Sequence, residues 1–204
     1  CPAIVPRCLW GARSYRGTPS PLRPPLGSVF LHHTLEPARP CRTFSACAHA
    51  MRDMQRFHQD TRGWDDIGYS VGIVDDFTAT LPDPDTLALV RDQLLPCAVR
   101  SGHIQPDFTL CGHRQLGHTD CPGNALFQEI QSCPGFQGTP VALGLGVGDR
   151  WVTPVGTYLL LLALVPPDAV VWDVSQFSLV DGYLVPLGSD EHAILEQSHS
   201  QRKL

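Results

Sequence analysis

The stretch GHRQLGHTDCPG, residues 112–123, decides how this sequence is interpreted. It places an imidazole at His113 and a thiol at Cys121, eight residues apart, and Pro122 follows directly. Because proline is best tolerated in the first turn of a helix, the spacing predicts a loop that runs into a helix at Pro122. An imidazole and a thiolate are typical zinc ligands, but two ligands do not make a site. A third ligand has to come from elsewhere, and LHHT at residues 31–34 is the candidate.

Composition favours a folded domain in an oxidising compartment. The 204 residues allow one domain with an appendage, or two very small domains. A net charge of −5 argues against a nucleic-acid-binding protein, which normally carries a basic stripe. Eight cysteines are many for this length, so we expect secretion and some disulfides. The opening CPAIVPRC is not a signal peptide, and we expect the leader to lie outside this sequence.

Short apolar runs predict the strands of a sheet. They lie at residues 29–31, 71–74 and 106–112, and Tyr69 starts a strand after a tight turn at the glycines of residues 63–68. The first run delivers His32 and His33 at its C-terminal end, where the scaffold holds side chains that still reach solvent. Residues 1–25 are rich in Pro, Arg and Gly and predict irregular structure.

Three helices are predicted between these strands, over residues 43–59, over residues 83–95 and from Pro122 onward. Their predicted apolar faces consist of Ala46, Ala50, Met54 and Phe57 in the first helix, Leu87, Val90 and Leu94 in the second, and Leu126 and Ile130 in the third. Pro96 is expected to end the second helix. Strands that alternate with helices indicate an α/β or α+β sheet domain.

The cysteines allow several pairings. Cys41 and Cys47 would close a small loop at the entry of the first helix, and such a disulfide contributes roughly 2–3 kcal/mol. Two buried free thiols are the alternative. Cys8, Cys111 and Cys133 cannot be paired from sequence alone.

Five motifs together resemble the peptidoglycan recognition protein family. They are CPAIVPRCLWGA, VFLHHT, the Cys41–Cys47 pair, MQRFHQDTRGWDDIGYS and GHRQLGHTDCPGNALF, and they extend from Cys1 to about Phe136. Within the family the sequence is most similar to the long, secreted mammalian N-acetylmuramoyl-L-alanine amidases. The resemblance implies an α/β fold with a mixed central sheet flanked by helices, the amidase type 2 fold. It also implies a second disulfide, between Cys1 and Cys97.

The resemblance further implies a zinc site with His32, His113 and Cys121 as ligands, and Tyr69 and Thr119 as catalytic groups beside the metal-bound water. Zinc with three protein ligands keeps a fourth position open, lowers the pKa of bound water to about 7 and polarises a carbonyl. Tyr69 would stabilise the developing oxyanion or relay a proton, and Thr119 would orient the water.

The implied partner is bacterial peptidoglycan or its muropeptides, in innate immunity. The implied substrate is the amide between N-acetylmuramic acid and L-alanine. Family members with Ser in place of the ligand Cys bind peptidoglycan without cleaving it, so Cys121 favours an enzyme.

Other candidate residues have simpler structural interpretations. His33 would face the opposite side of the strand from His32, as a satisfied or exposed imidazole. For His58 we expect a packing or hydrogen-bonding role, for His118 exposure to solvent, and for Trp64 a place in the core.

The sequence departs from the family pattern at two places. Between Ser70 and Val71 the family has further strands and a loop that lines the peptidoglycan groove, so we expect a truncated sheet. We therefore expect an incomplete recognition and amidase domain at residues 1–136, with an unassigned extension at residues 137–204. A non-catalytic binding module and an inactive isoform are the alternatives to an amidase.

The extension contains one strongly apolar run, residues 157–165, bracketed by prolines. Because a membrane span needs about 20 apolar residues, the run predicts a buried strand or a short helix instead.

Overall fold

The computed structural model describes residues 1–14, 24–36, 38–39, 41–57, 69–116 and 118–138, together with the backbone of four strands between residues 158 and 186. The predictions for His58, for Trp64 and for the turn at residues 63–68 lie outside the described residues.

A mixed six-stranded sheet forms the centre of the molecule. Its strands are β1 (Ile4–Val5), β2 (Leu26–His33), β3 (Tyr69–Ile73), β4 (Ile104–Gly112), β5 (Tyr158–Val165) and β6 (Asp168–Asp173), in the order β1-β6-β5-β3-β2-β4. Neighbouring strands run parallel except β5 and β6, which are antiparallel. Two further strands, β7 (Phe177–Val180) and β8 (Tyr183–Pro186), pair with each other. A mixed central sheet flanked by helices is the fold class that the family resemblance implies, although β5 and β6 come from the extension that the resemblance does not cover.

Helices pack against this sheet. They are α1 (Arg7–Trp10), α2 (Phe44–Phe57), α3 (Pro84–Ala88), α4 (Leu95–Arg100) and α5 (Asn124–Ile130). The strands β2 and β3 share one core with the helices α3 to α5, and this core includes Val29, Val71, Leu94 and Leu126. A smaller core joins α1 to α2, with Trp10 and Met51 fully buried in it.

The second helix extends beyond Pro96, where we expected it to end. A π-helical turn at Leu89–Leu94 connects α3 to α4, and Pro96 lies in the first turn of α4. The first N–H groups of an α-helical segment have no hydrogen-bond partner within that segment, so a proline at this position removes no hydrogen bond. The chain therefore stays helical to Arg100. The apolar face of Leu87, Val90 and Leu94 is confirmed.

The predicted apolar face of α2 is confirmed only in part, since Ala50 and Met54 pack against the smaller core. Its buried residues are Cys47, Ala48, Met51 and Gln55, whereas Ala46 and Phe57 are exposed. The amide side chain of Gln55 accepts from the backbone N–H of Arg13 at 2.7 Å and donates to its carbonyl at 3.0 Å. Because this polar residue docks the N-terminal segment, the buried stripe is displaced from the purely apolar one.

Two further boundaries differ from the sequence-based prediction. The third helix begins at Asn124 and not at Pro122, because Gly123 has φ of 90° and is not helical. The first 25 residues, expected to be irregular, contain β1 and α1. Leu126 and Ile130 are buried as predicted.

Both disulfides implied by the resemblance are present. Cys1 is joined to Cys97, and Cys41 is joined to Cys47 at the entry of α2. In the described part of the chain, the remaining cysteines are free thiols.

The apolar run near the end of the chain is a strand, β5, which pairs in parallel with β3 and antiparallel with β6. Residues beyond position 136 therefore contribute two strands to the sheet that carries β2 and β4. Among the residues that the structure describes, no helix is long and apolar enough to cross a membrane.

Candidate metal centre

Strand register brings two imidazoles together. β2 and β4 are parallel neighbours, and Leu31 lies opposite Gly112. The residues that follow, His32 and His113, therefore emerge at the same carboxyl edge of the sheet. Their ring centroids are 4.5 Å apart.

The loop after His113 returns Cys121 to these rings. The Cys121 Sγ lies 3.8 Å from the His32 Nδ1, and the backbone N–H of His33 donates to the same sulfur at 3.4 Å. One ligand atom from each of His32, His113 and Cys121 lies within 4.8 Å of the other two. The structure thus brings together the three predicted metal ligands.

The chemistry of this cluster fits a zinc ion. Burial raises the pKa of the Cys121 thiol to about 11, while the His33 N–H and the charge of Arg114 oppose this shift. A thiolate in so dry a position needs a cation beside it. Two imidazoles and one thiolate form a ligand set that zinc favours, and three protein ligands leave a fourth position open.

His33 is not part of the cluster, although it is adjacent to His32. Its side chain is 4% exposed, its Nδ1 accepts from the N–H of Phe77 at 3.2 Å, and it lies 3.7 Å from the carboxylate of Asp76. Burial lowers the pKa of His33, which favours the neutral imidazole. The predictions of a satisfied His33 and of an exposed His118 are confirmed.

Thr119 lies beside the metal centre. Its Oγ1 accepts a hydrogen bond from the backbone N–H of Cys121 at 3.2 Å. This contact helps to shape the turn that presents the thiol.

Strand register places Tyr69 at the start of β3, in the larger core. In the pairing of β2 with β3, Val29 lies opposite Tyr69 and His32 lies opposite Gly72. Tyr69 is therefore on the other face of the sheet from His32 and about 10 Å away along the strand direction. Its side chain is 3% exposed within the larger apolar core.

Sequence analysis did not single out Arg114. Its backbone N–H donates to the carbonyl of Cys121 at 2.7 Å. Its guanidinium donates to the Asn124 side chain at 2.8 Å and to the Asp120 carbonyl, and it lies 4.8 Å above the ring of Phe127. The only sequence signal for this role is that Arg114 directly follows a ligand.

Gly123 was also missed. A Cβ at this position would lie 2.3 Å from the carbonyl carbon and oxygen of Phe77, and the φ of 90° is unfavourable for other residues. The backbone N–H of Ala125 donates to the same Phe77 carbonyl at 3.2 Å. The loop after β3 therefore packs directly on the end of the ligand loop.

Comparison with known proteins finds relatives over about two thirds of the chain, although no family model matches. The N-acetylmuramoyl-L-alanine amidase of Sus scrofa is 48% identical over 167 residues, which cover 67% of this chain and 28% of that protein. The peptidoglycan-recognition protein LB of Drosophila melanogaster is 34% identical over 164 residues. The match covers 65% of this chain and 69% of that protein. The chain spans less than a third of the length of the mammalian amidases it matches.

Solved structures agree with the sequence comparison. A mutant of Drosophila PGRP-LB in complex with tracheal cytotoxin matches with a TM-score of 0.57 and 34% identity, over 66% of this chain and 96% of that one. The central sheet and helices described above thus form the peptidoglycan recognition fold. By this fold and by its identity to the Drosophila protein, the chain belongs to the peptidoglycan recognition protein family.

Proposed function

We propose that this chain is a secreted, zinc-dependent amidase domain of innate immunity, which hydrolyses the amide between N-acetylmuramic acid and L-alanine in peptidoglycan. The observation that carries the proposal is the convergence of His32, His113 and Cys121 at one edge of the sheet. The mammalian relatives are named for this activity, and a Drosophila relative has been solved with tracheal cytotoxin. The disulfides Cys1–Cys97 and Cys41–Cys47 support an oxidising, extracellular location.

The roles of the residues follow from their positions. His32, His113 and Cys121 would hold the ion. When bound, zinc with an open fourth position supplies an activated water and polarises the scissile carbonyl. The His33 N–H stabilises the negative sulfur of Cys121 by a charge-assisted hydrogen bond, and Thr119 holds the adjacent backbone. Tyr69 has no role in this proposal, because it lies in the core.

Zinc content of the purified chain tests the ligand set. We expect one zinc ion per chain in the native protein and in a Cys8→Ser variant, which removes an exposed free thiol. Cys121→Ser removes a ligand and should lose the ion. A well-folded native chain without zinc would contradict the proposal.

Turnover tests the reaction itself. The native chain should release the stem peptide from a muropeptide, and a chelator should abolish the release. Re-addition of zinc should restore it, since the ligands belong to the folded protein. Release that survives removal of the metal would exclude zinc-dependent hydrolysis by this site.

Binding of peptidoglycan without cleavage is the second candidate function. The burial of Tyr69 favours it, because the site then lacks the predicted oxyanion partner. The sequence also departs from the family pattern after Ser70, where the loop that lines the peptidoglycan groove is missing. A shortened groove would lower affinity as well as turnover.

Two measurements separate the candidates. Calorimetric binding of a muropeptide together with turnover would identify the amidase, whereas binding of the intact muropeptide alone would identify the recognition module. An inactive isoform would show neither. A cooperative unfolding transition would then indicate whether that isoform is folded.

A further inference from the structure

We propose that Arg114 is a positioning residue of the metal centre, which holds the ligand loop so that Cys121 stays beside His113. This inference rests on the proposed zinc site and concerns a residue whose side chain is not one of the ligands. The ligand loop, residues 118–123, carries Cys121 back beside His113.

The main chain of Arg114 makes the first connection. Its N–H donates to the Cys121 carbonyl at 2.7 Å, directly after the ligand His113. The two ligands are therefore linked through one short hydrogen bond. This bond depends on the loop keeping its present path.

The guanidinium makes the second connection. One of its nitrogens donates to the Asn124 Oδ1 at 2.8 Å, and another donates to the Asp120 carbonyl. Its acceptors lie on both sides of Cys121 along the chain. The planar guanidinium thus spans the turn that carries the thiol.

Packing holds the guanidinium in this orientation. Its central carbon lies 4.8 Å from the centroid of the Phe127 ring, within the range of a cation–π interaction. The ring of Phe127 also fills the space beside Gly112, since a Cβ on Gly112 would approach it to 2.7 Å. Phe127 therefore supports Arg114 and the end of β4 together.

The geometry allows two roles of Arg114 to be distinguished: the paired hydrogen bonds of its guanidinium and its positive charge alone. A lysine at position 114 would keep the charge near the sulfur, but all its N–H donors lie on one nitrogen, whereas Asn124 and Asp120 are reached by two different nitrogens of the rigid guanidinium. If the two guanidinium hydrogen bonds hold the ligand loop, Arg114→Lys should weaken zinc binding although the charge is retained. If only the charge matters, the lysine variant should behave like the native chain.

The experiment compares the zinc affinity of the native chain with that of Arg114→Lys and Asn124→Ala, by competition with a chromophoric chelator. We expect Arg114→Lys to weaken binding about 10–100-fold, as loss of an outer partner of a metal ligand typically does. Asn124→Ala removes one of the contacts and should weaken it less. The control is Arg91→Lys, because Arg91 forms a bidentate pair with Asp92 on an exposed helix surface.

Cobalt supplies a spectroscopic readout at saturating metal. A thiolate ligand gives an intense charge-transfer band, and we expect this band to weaken in Arg114→Lys while Arg91→Lys retains it. Equal affinities and equal bands in the native chain and in Arg114→Lys would overturn the inference.

Amide hydrogen exchange of the metal-free protein separates this inference from the proposed function. Arg114→Lys should speed exchange at Cys121 and Gly123, whose N–H groups bond within the ligand loop. If the native chain binds no zinc, the proposed function fails. Faster exchange in Arg114→Lys would then still support a role of Arg114 in holding the loop, and unchanged exchange would overturn it.

Discussion

The predicted site residues at the carboxyl ends of β2 and β4 come together in the structure, whereas the predicted site residue on β3, the neighbour of β2, lies apart from them. His32 lies near the end of β2 and His113 directly follows β4, and the structure brings both imidazoles together with Cys121. β3 begins at Tyr69, which lies on the opposite face of the sheet from His32. The difference shows that a motif keeps its geometry only where the strand around it keeps its register.

Side-chain alternation explains the position of Tyr69. Residues 69, 71 and 73 share one face of β3, and all three side chains are at most 3% exposed in the larger core. Full burial of a Val or Ile side chain contributes about 1.5–3 kcal/mol, so Val71 and Ile73 determine which face is buried. Tyr69 must follow them, because a shift by one residue would move both out of the larger core and onto the other face of the sheet.

The largest effect that tests this comparison is expected from truncation of the chain. Removal of residues 139–204 takes away β5 and β6, and leaves β3 as an edge strand although all five of its residues are buried. We expect loss of the cooperative unfolding transition and of soluble monomer. Circular dichroism during urea titration and size-exclusion chromatography would measure both.

The matched control ends the chain at residue 173. Of the strands that the structure describes, it removes β7 and β8, which form a separate two-stranded sheet. This variant should unfold like the native chain. Equal stability of the two truncations would mean that β5 does not support β3.

Gly123→Ala should have the next largest effect. The added Cβ would lie 2.3 Å from the Phe77 backbone, at a φ of 90°. We expect a loss of roughly 2–4 kcal/mol in the free energy of unfolding, together with weaker zinc binding. Denaturant titration and a zinc competition assay would measure these changes.

Gly102→Ala is the control for backbone strain, since Gly102 has φ of 71° but no atom within 4 Å of the added Cβ. Its cost should be near 1 kcal/mol. If both variants lose the same stability, the contact between the loop after β3 and the ligand loop is not required.

Tyr69→Phe distinguishes a core residue from a catalytic one. We expect a stability change of about 1 kcal/mol or less and unchanged zinc affinity, because only a hydroxyl is removed from the core. Any muropeptide turnover should also be retained. A fall in turnover of about a hundredfold, typical for removal of an oxyanion donor, would show that Tyr69 reaches the site during catalysis.

The smallest effect concerns His103, near the amino end of β4 and far from the metal centre. Burial lowers the pKa of His103 below the ordinary histidine value of 6.5. A lowered pKa in the folded state means that stability is fully present above 6.5 and falls as the pH drops through the folded pKa. The unfolding free energy of His103→Gln, measured between pH 8 and pH 5 on metal-free protein, should fall less steeply than that of the native chain.

Sequence reasoning predicted much of this architecture because its signals are local. The apolar runs located β2, β3 and β4, and the helical spacing of Val90 and Leu94 located a buried face. It misplaced part of the apolar face of α2, where the polar Gln55 is buried through hydrogen bonds to a distant segment. It also ended a helix at Pro96, because the π-helical turn that precedes this proline has no clear sequence signal.

By itself, the sequence determined the types of most strands and helices and, through the family resemblance, pointed to the disulfides and to the three residues that converge at one edge of the sheet. Only the tertiary structure decided that Tyr69 enters the core, that β5 lies beside β3 and that Arg114 spans the ligand loop. The physical reason is that residue types and spacings act over a few positions, whereas register and packing depend on segments far apart in the chain.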